Sequence, residues 1–219
     1  MNRWLNQLER KAKGVCIQNL ALVLVVGQLM VYLCMAMLPT LNLGLRLSLI
    51  TPYVLQGEVW RLVTFLFVPP SGNVITLVLS LYFLYLVGHA LEQTWGDFRF
   101  NVYYFIGALG AIAAAFLGGW GTTYYLNLSL FFAFAVLYPN FQVLPFFIIP
   151  VKMKYLAALS GAMCLFTVLF GSWAERWAVL FALANFFLFF GGDFIATVRR
   201  EITYHRTRSN WRNNNRGGW

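Results

Sequence analysis

The chain has 219 residues, of which 60% are hydrophobic and 11% are charged, and it has a formal net charge of +9. Soluble domains average roughly 45–50% apolar and 25% charged residues, and a chain of this length could not bury so much apolar surface in a soluble core. The composition therefore excludes an ordinary soluble enzyme and favours an integral membrane protein.

Six apolar runs lie along the chain, each close to the roughly 20 residues that a helix needs to cross ~30 Å of hydrocarbon. We predict transmembrane helices near residues 15–38, 73–89, 99–118, 124–141, 154–171 and 177–198. The first run is too long for the core of a signal peptide, so we expect it to be retained. The predicted fold is an all-α, polytopic six-helix bundle over residues 15–198. A basic N-terminus precedes it over 1–14, and a basic, disordered tail follows over 199–219.

Basic residues are divided unequally between the two sides that six spans define. The side that would hold both termini has thirteen of the sixteen Lys and Arg residues, and the other side has Arg46, Arg61 and Arg176. By the positive-inside rule we expect both termini to be cytoplasmic, in a bacterial plasma membrane or an endoplasmic reticulum membrane. The tail is expected to bind anionic lipids, and nucleic-acid binding is the less favoured interpretation of its composition.

The segment from Pro39 to Leu62, before the second span, is apolar but is interrupted by Asn, Gly, Arg and Pro residues. We expect it to form short helices that lie in the external membrane interface. It ends in Trp60-Arg61, where a ring and a guanidinium would both be favourable at headgroup depth. This pair is interpreted as an interfacial anchor.

The third span carries small residues at three- and four-residue intervals, which let helix backbones approach closely. These residues are Gly107, Gly110, Ala111, Ala114, Ala115 and Gly118. They predict a packing face for a neighbouring helix.

Two sequence patterns occur in an order that is known from a protein family. The first is Trp60-Arg61-Leu62-Val63-Thr64-Phe65, and the second is Gly88, Leu91-Glu92, Gly96 and Arg99-Phe100 before a Tyr-rich third span. Their order and spacing resemble the rhomboid superfamily, which includes intramembrane serine proteases and inactive relatives, the derlins. The resemblance implies a six-helix membrane fold, and Glu92 and Arg99 are interpreted as structural residues of the loop.

The resemblance also implies where an active member would keep its catalytic groups. Ser129 lies at the position of the nucleophile but lacks both flanking glycines, and Asn185 replaces the histidine base. An amide has no usable basicity near neutral pH, so it cannot activate a serine hydroxyl. The second-span positions of the Asn and His that help build the oxyanion hole hold Ser80 and Thr76.

No other group is predicted to replace the missing base. His89 and His205 lie at the cytoplasmic end of the second span and in the tail, away from Ser129. Acidic residues are scattered at span ends, so we expect no metal site and no cofactor. We expect Asn185 to hydrogen-bond Ser129 or the Asn127 side chain across the fourth and sixth helices, because a polar group at membrane depth needs a partner.

These observations predict a rhomboid-like pseudoprotease with no catalytic residue. The resemblance implies that it binds or handles the transmembrane helices of client proteins, in membrane protein quality control, and self-association into a homo-oligomer is left open. The first alternative is an active intramembrane serine protease with Ser129 as its nucleophile. The second is a small-molecule transporter, against which count the lack of inverted repeats and of charged residues within the spans.

Overall fold

The computed structural model describes residues 16–69, 73–143 and 151–190. In chain order its helices are α1 Leu20–Met37, α2 Leu43–Leu47, α3 Thr51–Leu55, α4 Arg61–Thr64, α5 Val74–Trp95, α6 Asp97–Gly118, α7 Tyr124–Leu137, α8 Met153–Phe170 and α9 Trp173–Phe190. Short 3-10 turns cover Pro39–Leu41 and Phe65–Phe67. Strand β1 (Leu49–Ile50) pairs antiparallel with β2 (Trp120–Gly121), and β3 (Gln142–Val143) pairs antiparallel with β4 (Val151–Lys152). The predicted regions 1–14 and 199–219, with the end of the sixth span, lie outside the described residues.

Five of the described helices are long and apolar enough to cross a membrane, namely α1, α5, α6, α8 and α9. The fourth predicted span is the shorter helix α7, whose 14 residues measure about 21 Å at 1.5 Å per residue. The architecture is therefore that of an all-α polytopic membrane protein, with five candidate spans and one shorter apolar helix.

Several helix boundaries differ from the predictions for local reasons. Helix α1 begins five residues later than expected, since Asn19 adopts a left-handed conformation with φ of 51°. Helix α7 ends before Pro139, which has no amide hydrogen for the next turn. Helix α9 begins four residues earlier than expected. Glu175 accepts from the Ser172 amide, and the Ser172 hydroxyl lies 3.4 Å from the Glu175 amide, which is a capping box.

Contacts between helix ends show which ends share a side of the bundle. The Thr94 and Tyr138 hydroxyls are 2.7 Å apart, and the Trp95 and Phe190 rings are 5.1 Å apart, so the C-terminal ends of α5, α7 and α9 lie together. Arg99, Lys152 and Lys154 also lie on this side, and Arg46, Arg61 and Arg176 lie at the opposite end. At the opposite end β1 pairs with β2, which joins the loop after α1 to the turn after α6. Successive long helices therefore run in alternating directions.

Among the described helices of 14 residues or more, burial is greatest in α7 and least in α8. Every residue of α7 from Ser129 to Ala135 is buried, and α7 packs against α5, α6 and α8. Helix α8 buries only Met153 and Cys164, and its neighbours are chiefly α7 and β4. The core of the described bundle is thus built on α7, and α8 lies at its edge.

Candidate functional site

Ser129 lies in the first half of α7, about 7 Å from its start at 1.5 Å per residue. The side chain is 1% exposed, and its hydroxyl donates to the Leu126 carbonyl of the same helix at 2.8 Å. The Ser129 carbonyl in turn accepts from the Tyr103 hydroxyl of α6 at 3.0 Å. The hydroxyl is therefore committed to its own backbone, as Ser and Thr often are within helices.

Asn185 on α9 is 5% exposed, so it faces the bundle interior as expected for a polar group at this depth. The prediction of its hydrogen-bond partner, however, is wrong. The Asn185 amide nitrogen donates to the Tyr103 carbonyl at 3.4 Å, and neither Ser129 nor Asn127 bonds to it. The side-chain oxygens of Asn185 and Asn127 are both buried and have no hydrogen-bond partner among the described residues.

Gly107 explains how α6 admits the Asn185 side chain. A Cβ at this glycine would lie 2.7 Å from the Asn185 amide nitrogen, and closer still to a methyl of Leu126. Gly110 and Gly118 likewise face Phe181 and Ala174 of α9. The predicted packing face of small residues in the third span is confirmed, and α9 is the helix that it accommodates.

A narrow cleft lies beside Ser129, between α6, α7 and α9, with about 320 Å³ of space not filled by atoms, including space open to solvent. Small residues dominate its lining, and the polar side chains on it are Ser129, Thr122 and Tyr125. Its inner part has room for about one water molecule. Such a space is too small for a peptide segment to reach Ser129.

Thr76 and Ser80 are separated from this cleft and lie on another face of the bundle. They share one face of α5 with Phe83, since residues at i, i+4 and i+7 align on a helix. Phe83 contacts Phe131 of α7 with ring centroids 5.8 Å apart. Thr76 is exposed and Ser80 is half-buried. The described structure therefore does not bring Thr76 and Ser80 together with Ser129.

Trp60 and Arg61 occupy quite different surroundings. Trp60 is 53% exposed, whereas Arg61 is 3% exposed and contacts protein rather than the surface. The Arg61 guanidinium donates to the carbonyls of Leu45 and Ser48 and to the Glu58 carboxylate, which is 2.6 Å from Nε. The Arg61 guanidinium therefore binds carbonyls of the loop after α1, and the interfacial depth of the Trp60-Arg61 pair stays a prediction.

Arg61 also lies over the Tyr53 ring, with 4.8 Å from its Cζ to the ring centroid. One turn later Thr64 donates to the Leu47 carbonyl at 3.1 Å. The loop itself is fastened to α6, because the Thr51 hydroxyl donates to the Ala115 carbonyl at 2.6 Å. The first sequence pattern therefore organises the connection between α1 and α5.

The second pattern holds the start of α1. A Cβ at Gly88 would lie 2.6 Å from the Ala21 Cβ, so α1 and α5 cross closely at this point. One turn further along α5, the buried Glu92 carboxylate accepts from the Ala21 amide at 3.0 Å. An acidic group at a helix N-terminus satisfies a free amide and complements the helix dipole. Gly96, with φ of 82°, then forms the sharp turn from α5 to α6.

Asn101 completes this arrangement and could not be singled out from the sequence patterns. Its side chain donates to the Ile17 carbonyl at 2.8 Å and accepts from the Ile17 amide at 3.3 Å. The signal available in the sequence was an amide side chain within an apolar run. Such a group usually has a specific hydrogen-bond partner when it is buried. Arg99 is half-buried two residues earlier, at the same end of α6.

No cluster of three or more His, Cys, Asp or Glu side chains that could hold a metal ion occurs among the described residues. His89 faces outward on α5, where it stacks on Tyr85 and lies 3.0 Å from the Gln93 amide nitrogen. It is therefore turned away from Ser129. His205 lies outside the part of the chain that the structure describes.

Comparison with known proteins adds one finding. A family model described as eukaryotic integral membrane protein (DUF1751) matches residues 19–124, slightly less than half of the chain. The match covers α1 to α6 and includes both sequence patterns. No curated protein matches the chain. The match and the five candidate spans together indicate an integral membrane protein with multiple transmembrane helices.

Proposed function

We propose that the protein is a rhomboid-like pseudoprotease that binds transmembrane segments of other membrane proteins. The observation that carries the proposal is that the side chains at both dyad positions are buried and hydrogen-bonded to backbone carbonyls. The Ser129 hydroxyl donates to the Leu126 carbonyl, and the Asn185 amide donates to the Tyr103 carbonyl. A serine nucleophile needs a base within hydrogen-bond reach, and neither contact supplies one.

The surface where α5 meets α7, which we call the groove face, supports the binding role. Helices α5 and α8 both pack against α7. On this groove face, Thr76 and Ser80 of α5 and Asn127 of α7 lie at the edge where Phe83 meets Phe131. The Asn127 side-chain oxygen is buried beneath this surface and has no partner among the described residues. Lipid chains cannot satisfy the hydroxyls of Thr76 and Ser80, whereas a transmembrane segment with a polar side chain can.

We place the protein in a eukaryotic membrane, with both termini cytoplasmic, and name the endoplasmic reticulum as the compartment. The family that matches residues 19–124 is described as eukaryotic, which favours this alternative over a bacterial plasma membrane. The charge distribution along the sequence supports the orientation, because thirteen of the sixteen Lys and Arg residues fall on the side of both termini in the six-span topology. Cysteine accessibility at Lys154 and at Trp60 in sealed microsomes tests the orientation, and labelling of Trp60→Cys from the cytosolic side would overturn it.

The binding role is tested by photo-crosslinking in vesicles that contain the full chain and a model transmembrane segment. A photoreactive residue replaces Thr76 on the groove face, and the matched control replaces Leu109, which is 64% exposed on α6. Two versions of the segment are compared. One carries a single Asn in the half nearer the end of the bundle where β1 pairs with β2, and the other carries Leu throughout. We expect the Asn segment to crosslink at position 76 at least about threefold more than the Leu segment, a ratio typical of one hydrogen bond in a membrane.

The same experiment separates the proposal from its alternatives. Ser80→Ala should remove the preference for the Asn segment and leave the protein folded, because Ser80 is a half-buried residue of the groove face. Equal crosslinking at positions 76 and 109 would overturn the binding role. Fragments of the segment that disappear with Ser129→Ala would instead establish an active protease, and the pseudoprotease proposal would fail.

A further inference from the structure

The exposed face of α5 differs in composition from that of the other described long helices. The exposed large side chains of α1, α6 and α9 are apolar, apart from Trp173 at the first position of α9. Those of α8 are apolar after Lys154 and Tyr155 in its first turn. On α5, Tyr82 is 61% exposed and Tyr85 is 38% exposed, and His89 and Gln93 follow on the same face. Side chains that form hydrogen bonds are rare on lipid-facing surfaces, where they usually mark an interaction.

The spacing of this face is that of a helix pair. Its members are Ile75, Val78, Tyr82, Tyr85 and His89, which we call the α5 seam. The intervals alternate between three and four residues, as in the a and d positions of a coiled coil. The seam is distinct from the groove face of Thr76, Ser80 and Phe83, because at 100° per residue Thr76 lies well to one side of Tyr82.

The depth of Tyr82 makes its exposure costly. It lies about 12 Å from the start of α5 and about 20 Å from its end at 1.5 Å per residue, which is within the hydrocarbon of a spanning helix. Its hydroxyl has no hydrogen-bond partner within the described residues. Tyr85 and His89, by comparison, stack with centroids 5.3 Å apart, and His89 reaches Gln93. A partner that offers a hydrogen-bonding group at the depth of Tyr82 would remove this cost.

We propose that the α5 seam is the contact between two copies of this chain, paired around a two-fold axis normal to the membrane. In such a pair each seam residue meets its own copy at the same depth, so the apolar Ile75 and Val78 face apolar side chains. Tyrosine hydroxyls and a neutral imidazole both donate and accept hydrogen bonds. Tyr82 and His89 are therefore complementary to themselves, which a lipid chain or an unrelated apolar helix is not.

Cysteine crosslinking in vesicles of the full chain tests this arrangement. The starting protein has Ala at Cys16, Cys34 and Cys164, and single cysteines are introduced at Val78, Tyr82 or Tyr85. Matched controls are Thr76→Cys on another face of α5 and Met163→Cys on α8, which are exposed as well. We expect oxidation to give a disulfide-linked dimer at the three seam positions and little at the two controls, with yields that persist when the lipid-to-protein ratio is raised tenfold.

A second measurement tests the polar contacts. Tyr82→Phe combined with His89→Leu should lower the fraction of dimer, measured by fluorescence energy transfer between labelled copies, by roughly threefold for each hydrogen bond lost. Equal crosslinking at all five positions would overturn the proposal. The absence of crosslinks at positions 78 and 82 would also overturn it, provided that the thiols there react with maleimide. Crosslinks from the seam only to proteins of another mass would also overturn it, because the partner would then not be a second copy.

Discussion

Replacing Arg61 with methionine should destabilise the connection between α1 and α5 while leaving its apolar stem in place. Arg61 is 3% exposed, and its two carbonyl partners belong to a segment 13 to 16 residues earlier in the chain. A hydrogen bond to a charged group contributes about 1.5–3 kcal/mol. The contact with Glu58 adds less, because that side chain is 35% exposed and screened by solvent.

Part of this loss is offset, since methionine fills similar space and brings no charge to be desolvated. We therefore expect Arg61→Met to lower the free energy of unfolding by about 3 kcal/mol. Arg61→Lys should fall between wild type and Arg61→Met, because an ammonium cannot serve both carbonyls and the carboxylate in one plane. The measurement is the folded fraction of purified protein as SDS is increased in mixed micelles.

Arg46→Met is the matched control, because Arg46 is an exposed arginine of the same loop. Its substitution should change the free energy of unfolding by less than about 0.5 kcal/mol. If Arg61→Met were within that range too, the buried hydrogen bonds would contribute no net stability. The structural role of Arg61 as the residue that fastens the loop after α1 would then be refuted.

Three further substitutions test the helix contacts by the same SDS assay. Gly88→Val should cost about 2–3 kcal/mol, because its Cβ would meet Ala21 at 2.6 Å, whereas Gly161→Ala, where no atom lies within 4 Å, should be tolerated. Glu92→Leu should cost about 1–2 kcal/mol through the lost cap on the Ala21 amide, and Glu92→Gln should retain most of that stability; equal losses would contradict a capping role. Ser129→Ala should cost less than about 1 kcal/mol, because only a bond within its own helix is lost, and a larger loss would indicate another partner.

The long helices could be predicted from the sequence because apolar runs of about 20 residues have one common outcome in a membrane. Their ends could not always be predicted. The late start of α1 follows the left-handed conformation of Asn19, and the backbone just before it is bound by Asn101, 84 residues from Ile17. The early end of α7 could have been found, since Pro139 lies within the span predicted to reach residue 141.

The candidate site was harder to predict than the helices. The prediction that Asn185 faces the bundle interior is confirmed. An amide buried within the bundle costs less free energy than one exposed to lipid. The sequence did not reveal the partner, because Tyr103 lies on α6 and no local pattern relates it to α9. The partners of Arg61 were missed for a similar reason. Its carbonyl partners are backbone atoms, which carry no signal in the sequence.

Tyr103 connects the two positions where a rhomboid protease would carry its dyad. Its hydroxyl donates to the Ser129 carbonyl, and its own carbonyl accepts from Asn185, so α7, α6 and α9 are joined through one residue. Each such bond between helices contributes about 0.6 kcal/mol on average in a membrane, and the alternative is an unpaired polar group in a dry core. A catalytic serine needs a free hydroxyl and room for substrate. At Ser129 the hydroxyl donates to the Leu126 carbonyl and the side chain is 1% exposed, so the described structure provides neither.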